Sequence, residues 1–188
     1  MKEINITLPD NTTKSFSSGI TPQDVADSIG SGLARAVVVA KVNGLLRDLN
    51  HKIHEDSTLE LFTGDTPEGH DTLLHSTAHL MAQAVKELFP EVKITIGPTI
   101  ENGFYYDFDL DKSFSDEILE KIENKMKELA KLKQEIVRYE VSTGEAVDIF
   151  SKLGEPYKVE IIEQINPDDT ITMYKQSTFT DLCRGPHV

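Results

Sequence analysis

One cysteine, Cys183, is all that the 188 residues offer for disulfide chemistry. No intrachain bridge can form, so the residue is a small buried hydrophobe, a metal ligand or a reactive thiol. Long apolar runs are lacking too. No stretch approaches the ~20 residues that cross a bilayer, and the start Met1-Lys2-Glu3-Ile4 does not have the basic-then-apolar order of a secretion signal. A cytoplasmic protein with no membrane partner is expected. Positive charge is in short supply: 19 Lys and Arg stand against 32 Asp and Glu, for a net charge of -13. That excludes coating nucleic acid through a broad basic surface, and any RNA contact must come from a local patch. Glycine is scarce at 11 residues, beside 38% hydrophobic and 27% charged residues, which excludes collagen-like and disordered classes. A packed core of one large or two small domains remains.

Apolar and polar residues alternate over Ile4-Asn5-Ile6-Thr7-Leu8, and Pro9-Asp10-Asn11 supplies a turn before Lys14-Ser15-Phe16, so a β-hairpin opens the chain. Thr21-Pro22-Gln23-Asp24 has a capping threonine, proline at the first helical position and an acid at the capping-box position, with Gly30 closing the helix. The β-branched run Val37 to Val42 ends at the hairpin signal Asn43-Gly44, and Leu59 to Phe62 is a last short strand. This ββαββ order is that of a β-grasp (ubiquitin-like) domain over residues 1–62. Residues 63–71 are polar and turn-rich, expected as a linker. Before it lie 6 of the basic and 8 of the acidic residues, so most of the acidity lies beyond the linker.

From residue 72 onward an α+β domain is expected, a sheet flanked by helices. Leu74, Ala78, Met81, Val85 and Leu88 form one helical stripe ended by Pro90, with His75 and His79 flanking that stripe. Val92 to Ile96 and Gly103 to Phe108 read as strands. Ser113-Phe114-Ser115-Asp116 fits a capping box, and Leu119, Ile122, Met126, Leu129 and Ile136 make the stripe of a long helix. His51, His54 and His70 fall in polar, loop-like sequence and read as surface.

Two pairs carry chemistry. His75 and His79 lie four apart on a helix, which points both imidazoles at one spot, suited to a metal, a substrate or a solvated role. Cys183 and His187 have the same spacing, but Gly185-Pro186 between them forbids a regular helix and puts them on a tight loop. The helical pair has no intervening Glu, which argues against a zinc protease. Four such side chains bind zinc tetrahedrally or act metal-free as bases and hydrogen-bond donors.

Three segments, His75-Ser-Thr-Ala-His79, Ile96-Gly-Pro-Thr-Ile-Glu-Asn-Gly-Phe-Tyr-Tyr-Asp107 and Asp181-Leu-Cys-Arg-Gly-Pro-His187, together resemble the editing domain of bacterial-type threonyl-tRNA synthetases. The β-grasp part resembles the small N-terminal (TGS) domain that these enzymes share with certain GTPases and stringent-response enzymes. The resemblance covers essentially the whole chain. It implies hydrolysis of serine wrongly esterified to threonine tRNA, with the acceptor end of that tRNA as partner. It also implies that His75, His79, Cys183 and His187 line the pocket, with Tyr106, Lys158 and Asp181 contacting the substrate, Asp181 at its α-ammonium. The class II core that binds ATP, threonine and zinc, and through which the family dimerises, is not in this sequence. This chain is therefore expected to need no cofactor, to be monomeric and not to aminoacylate. The stop at Val188 reads as a truncation. Threonyl-type editing sites are held to be metal-free, whereas alanyl-type relatives hold zinc at such a cluster. An alanyl-type or free-standing trans-editing hydrolase, and a non-enzymatic RNA-binding module with structural zinc, are the competing readings.

Overall fold

The alternation at the N-terminus folds as its pattern dictates. β1 (Glu3–Thr7) buries Ile4 and Ile6 and pairs antiparallel with β2 (Thr13–Ser17). The computed structural model describes residues 2–101, 103–110, 113–166 and 169–188. By packing they divide into one unit of Met1–Leu74 with Gly185–Val188 and another of His75–Arg184. The fold is α+β.

In the first unit, α1 (Pro22–Ile29) starts at the expected capping box: Asp24 N–H donates to Thr21 Oγ1, and Thr21 N–H to the Asp24 carboxylate. A short α2 (Ser31–Ala36) comes directly after it. It has no buried residue and hence no apolar stripe to announce it. β3 (Val37–Val42) turns through Asn43 and Gly44, both at positive φ (49° and 81°), into the three-residue β4 (Leu45–Arg47). That is the backbone which an Asn-Gly hairpin turn requires. With β5 (Ser57–Thr63) the sheet order is β2-β1-β5-β3-β4, in which only the β1/β5 pair is parallel. The β-grasp order is thus ββααβββ rather than ββαββ. Its core is Ile4, Ile6, Val25, Ala40, Val42, Ile53 and Leu59. Of the histidines read as surface, His54 and His70 are exposed and His51 is half-buried.

The stretch expected as a linker is non-helical after β5 only over residues 64–66, and α3 (Pro67–Leu88) begins well before the expected Leu74. The reason is a cap hidden in polar composition. Thr66 Oγ1 accepts from Gly69 N–H at 3.2 Å, and Pro67 takes the first helical position. The helix then runs unbroken across the expected boundary, and the division by packing falls within it, after Leu74.

In the second unit, the expected strand Val92 to Ile96 shortens to β6 (Lys93–Ile94), an unexpected β7 (Thr99–Ile100) follows, and the expected strand Gly103 to Phe108 breaks into β8 (Gly103–Phe104) and β9 (Phe108–Asp109), paired β6/β9 and β7/β8. α4 (Asp116–Lys131) begins at Asp116, so the acid expected at the third helical position is at the first, and the N-cap Ser115 makes no side-chain capping bond. Leu119 is exposed, and Ile136 belongs instead to β10 (Ile136–Val141). Then come α5 (Thr143–Leu153), α6 (Pro156–Glu163), β11 (Ile171–Gln176) and β12 (Phe179–Leu182), with the antiparallel sheet order β10-β11-β12. One core gathers Ala78, Ala82 and Val85 of α3 with Ile94, Tyr106, Ile122 and Phe179. Another joins Phe150 and Ile162 to Ile171 and Met173.

Candidate active site

The site grows from charged residues at positions where the local pattern calls for apolar ones. In α6, Lys158 and Ile162 are the buried pair four residues apart, so a lysine occupies an inward face. In β12, Phe179 and Asp181 are the inward residues of the alternation. Lys158 is 2% exposed and Asp181 1%, and each offsets the other's desolvation: Lys158 Nζ lies 2.6 Å from Asp181 Oδ1. α3 contributes His79, which is 7% exposed and so lies within the core face rather than beside it. Alanines at 78 and 82 keep that face of the helix low, and a carboxylate distant in sequence supplies the partner that periodicity cannot reveal.

Asp181 is fully subscribed. Its Oδ1 accepts from Lys158 Nζ and from Leu182 N–H at 2.8 Å, and its Oδ2 accepts from Tyr106 OH at 2.7 Å and lies 3.2 Å from His79 Nδ1. Four donors fill the four lone-pair positions of a carboxylate, which leaves none for a substrate ammonium. Lys158 Nζ also donates to Tyr106 OH at 3.2 Å. Burial alone would raise the Asp181 pKa, but Lys158, His79 and the hydrogen bonds from Lys158 and Tyr106 together hold it below the usual carboxylate value. The Tyr106 phenol is pushed well above its ordinary value by burial and by the Asp181 charge. Burial brings His79 down to about 4, against the upward pull of Asp181 and with help from His75 and Lys158.

His79 is therefore neutral at pH 7. With Nδ1 against a carboxylate, the assigned tautomer places the proton on Nδ1 and the basic lone pair on Nε2. His75 meets His79 edge-on, with ring centroids 5.0 Å apart, and its Nε2 lies 3.2 Å from Cys183 Sγ. Cys183 is set just beyond β12 by its N–H to Thr172 O (3.2 Å) and by Thr172 Oγ1 donating to its carbonyl (2.7 Å). One donor atom each from His75, His79 and Cys183 all fall within 4.8 Å of one another, close enough to converge on one ion or one substrate atom. His187 packs with the first unit, where it is buried and its backbone N–H donates to Asp48 Oδ1 at 2.7 Å.

Lys158 and Cys183 reach the wall of a cleft of about 520 Å³, lined otherwise by Ile96, Ile161, Ile165, Leu182 and Arg184 among others. That volume lies within the ~300–1,000 Å³ typical of small-molecule sites. Its walls mix these apolar side chains with Asp169, Thr170 and Thr172, and carry cations at Lys158 and Arg184.

Sequence reasoning gave no role to Glu155, which is buried at the N-cap of α6. Its Oε1 meets Lys86 Nζ at 2.5 Å and its Oε2 accepts from Ile94 N–H at 3.0 Å, while Lys86 also donates to Val92 O at 2.7 Å. A glutamate before a helical proline is a common surface pattern, and only its long-range partner marks it.

The TGS domain family matches residues 4–63. The chain is 54% identical over 183 residues to the threonine–tRNA ligase of Alkalilimnicola ehrlichii, covering 97% of this chain and 28% of that protein. It is 50% identical to that of Citrifermentans bemidjiense, covering 100% and 29%, and 47% identical to that of Acetivibrio thermocellus, covering 98% and 29%. The chain thus spans less than a third of the length of the curated relatives it matches.

Proposed function

We propose, from the premise that this chain is homologous throughout to the N-terminal region of bacterial threonine–tRNA ligases, that it hydrolyses serine wrongly esterified to threonine tRNA. The observation that carries this reading is a buried, neutral His79 held at Nδ1 by Asp181, which also holds a lysine that reaches the wall of a cleft of small-molecule size. Serine lacks one methyl of threonine, and a missing methyl gives a synthetic site only about 10–200-fold discrimination. A second site sized for serine inverts the selection, because the extra methyl of threonine clashes.

In the proposed reaction the seryl ester on the 3′-terminal ribose enters the cleft. Water is oriented by the histidine pair and attacks the carbonyl carbon as an imidazole nitrogen takes its proton. Lys158 faces the oxygen on which charge develops. The carbon–oxygen bond to the ribose breaks, the proton passes to the ribose oxygen, and serine and uncharged tRNA leave. Cys183 shapes the wall and forms no acyl intermediate. Asp181 and Tyr106 act behind His79 and Lys158 instead of on the substrate ammonium, since Asp181 has no acceptor position left. His187 joins the site on its motif, four residues beyond Cys183. The reading needs no metal, although the donors at His75, His79 and Cys183 suit zinc. Ligation of threonine to tRNA with ATP, and homodimerisation, are proposed for a longer protein that contains this region. This region itself is proposed to act in the cytoplasm as a monomer.

The test is deacylation by this chain of seryl-tRNA for threonine, seryl-tRNA for alanine and threonyl-tRNA. Rapid loss of the first with the other two nearly inert is expected. Preference for the alanine tRNA would move the protein to the alanyl-type class, and RNA binding without turnover would leave a binding module.

A further inference from the structure

Between β6 and β9 the chain keeps a ladder that neither strand records. Thr95 N–H donates to Asp107 O, Asp107 N–H to Ile96 O, and Tyr105 N–H to Pro98 O. These bonds set Gly97 directly across from Tyr106. The Tyr106 ring is folded over that glycine: a Cβ built on Gly97 would lie 2.0 Å from Cδ2, 2.5 Å from Cε2 and 2.8 Å from Cγ. No real contact is that short, so the ring and a side chain at 97 cannot share the space. The ring is also confined from other sides, stacked on Phe108 at 5.1 Å and edge-on to His79 at 6.4 Å. The φ of Gly97 lies outside the left-handed region, and the atoms nearest to an added Cβ all belong to the ring, so the ring is the first obstacle to an alanine there.

We propose that Gly97 is a positioning residue: its bare Cα is the seat of the Tyr106 ring, and so fixes the hydroxyl that joins Asp181 to Lys158. The inference rests on the editing reading in treating that hydroxyl as part of the hydrolytic site. Restoring ordinary contact with a Cβ needs a ring shift on the order of 1 Å, the scale at which a misplaced group costs about 10²-fold in rate. It also carries the hydroxyl out of the 2.7 Å bond to Asp181.

Two double-variant cycles test it. In deacylation of seryl-tRNA for threonine, Gly97→Ala should lower kcat about 10²-fold with KM little changed. In a Tyr106→Phe background, which already lacks the hydroxyl, it should cost less than about twofold more, the margin of independent sites. In melting, Gly97→Ala should lower Tm in the parent, whereas beside Tyr106→Leu, with the ring gone, it should leave Tm unchanged or raise it. Additive rate losses, or an equal Tm loss with and without the ring, would overturn the proposal, as would a Gly97→Ala protein with parent rate and Tm. If Gly97→Ala unfolds beside Tyr106 and folds beside Leu, that also supports it. A parent chain with no deacylase activity sinks the editing reading, and the melting cycle still judges Gly97.

Discussion

Asp181→Asn keeps the shape of the side chain and removes one acceptor oxygen, which makes it the sharpest probe of the buried network. The asparagine carbonyl can still receive Lys158 and Leu182 N–H, but its amide then faces Tyr106 OH and His79 Nδ1, both donors in the parent. The bonds are recovered only if His79 moves its proton to Nε2, which turns the basic lone pair inward. In a serine protease, the same exchange behind a catalytic imidazole costs about 10⁴ in kcat; a loss of ~10³–10⁴ is expected here. Lys158 also loses its counter-charge while 2% exposed, so stability should fall by about 3–5 kcal/mol, the cost of breaking a buried pair. The pH profile separates tautomer from protonation. Asp181 is the group that raises the His79 pKa, so its removal leaves His79 still more firmly neutral. Higher pH should therefore restore nothing. The assay is single-turnover deacylation of seryl-tRNA from pH 5 to 9, with thermal melts of both proteins. A variant within tenfold of the parent rate, or one that recovers at high pH, refutes the reasoning.

The remaining expectations concern pH, metal and the second histidine. His79 titrates at about 4 in the folded chain against an ordinary 6.5, so the unfolded chain takes up a proton that the folded chain refuses. Stability is full above pH 6.5 and falls by about 3 kcal/mol as pH drops toward 4; denaturant titrations should lose most of that slope in His79→Gln. Purified protein should hold substoichiometric zinc and keep its rate in chelator, and elemental analysis finding one tightly held zinc per chain reverses this. Replacing His75 or His79 by Ala should slow deacylation at least ~10²-fold while tRNA affinity, set by phosphate contacts elsewhere, changes less; equal rates in folded variants make the pair structural.

The sequence speaks most clearly where the cause of structure is local. The Thr21 capping box, the Asn43-Gly44 turn and the alternation of β1 appear in the fold as read. It is silent where a short element has nothing to bury, as in α2, and misleading where composition masks a cap, as at Thr66-Pro67. Ile136 continued the stripe of α4 by spacing alone, although the helix ends at Lys131. At the site, helical spacing brings His75 and His79 together. The association of Tyr106, Lys158 and Asp181 came by resemblance, because their contacts span 52 and 75 residues. The structure places a charged residue on each inward face, Lys158 beside Ile162 and Asp181 beside Phe179, which the sequence reading did not identify as a buried pair.

Glu155 gives up the usual task of an N-cap. Its carboxylate turns from the first amides of α6 to grip Lys86 of α3 and the amide of Ile94. Lys158 lies three residues along α6 from this grip, and His79 seven residues before Lys86 on α3. The helix that bears Lys158 and the helix that bears His79 are thus fastened together at a point that touches neither side chain. Drift at Glu155 should register as a change in the distance between His79 and Lys158. If the proposed editing reading holds, that drift shows first as slower loss of seryl-tRNA for threonine, with both residues still buried in place.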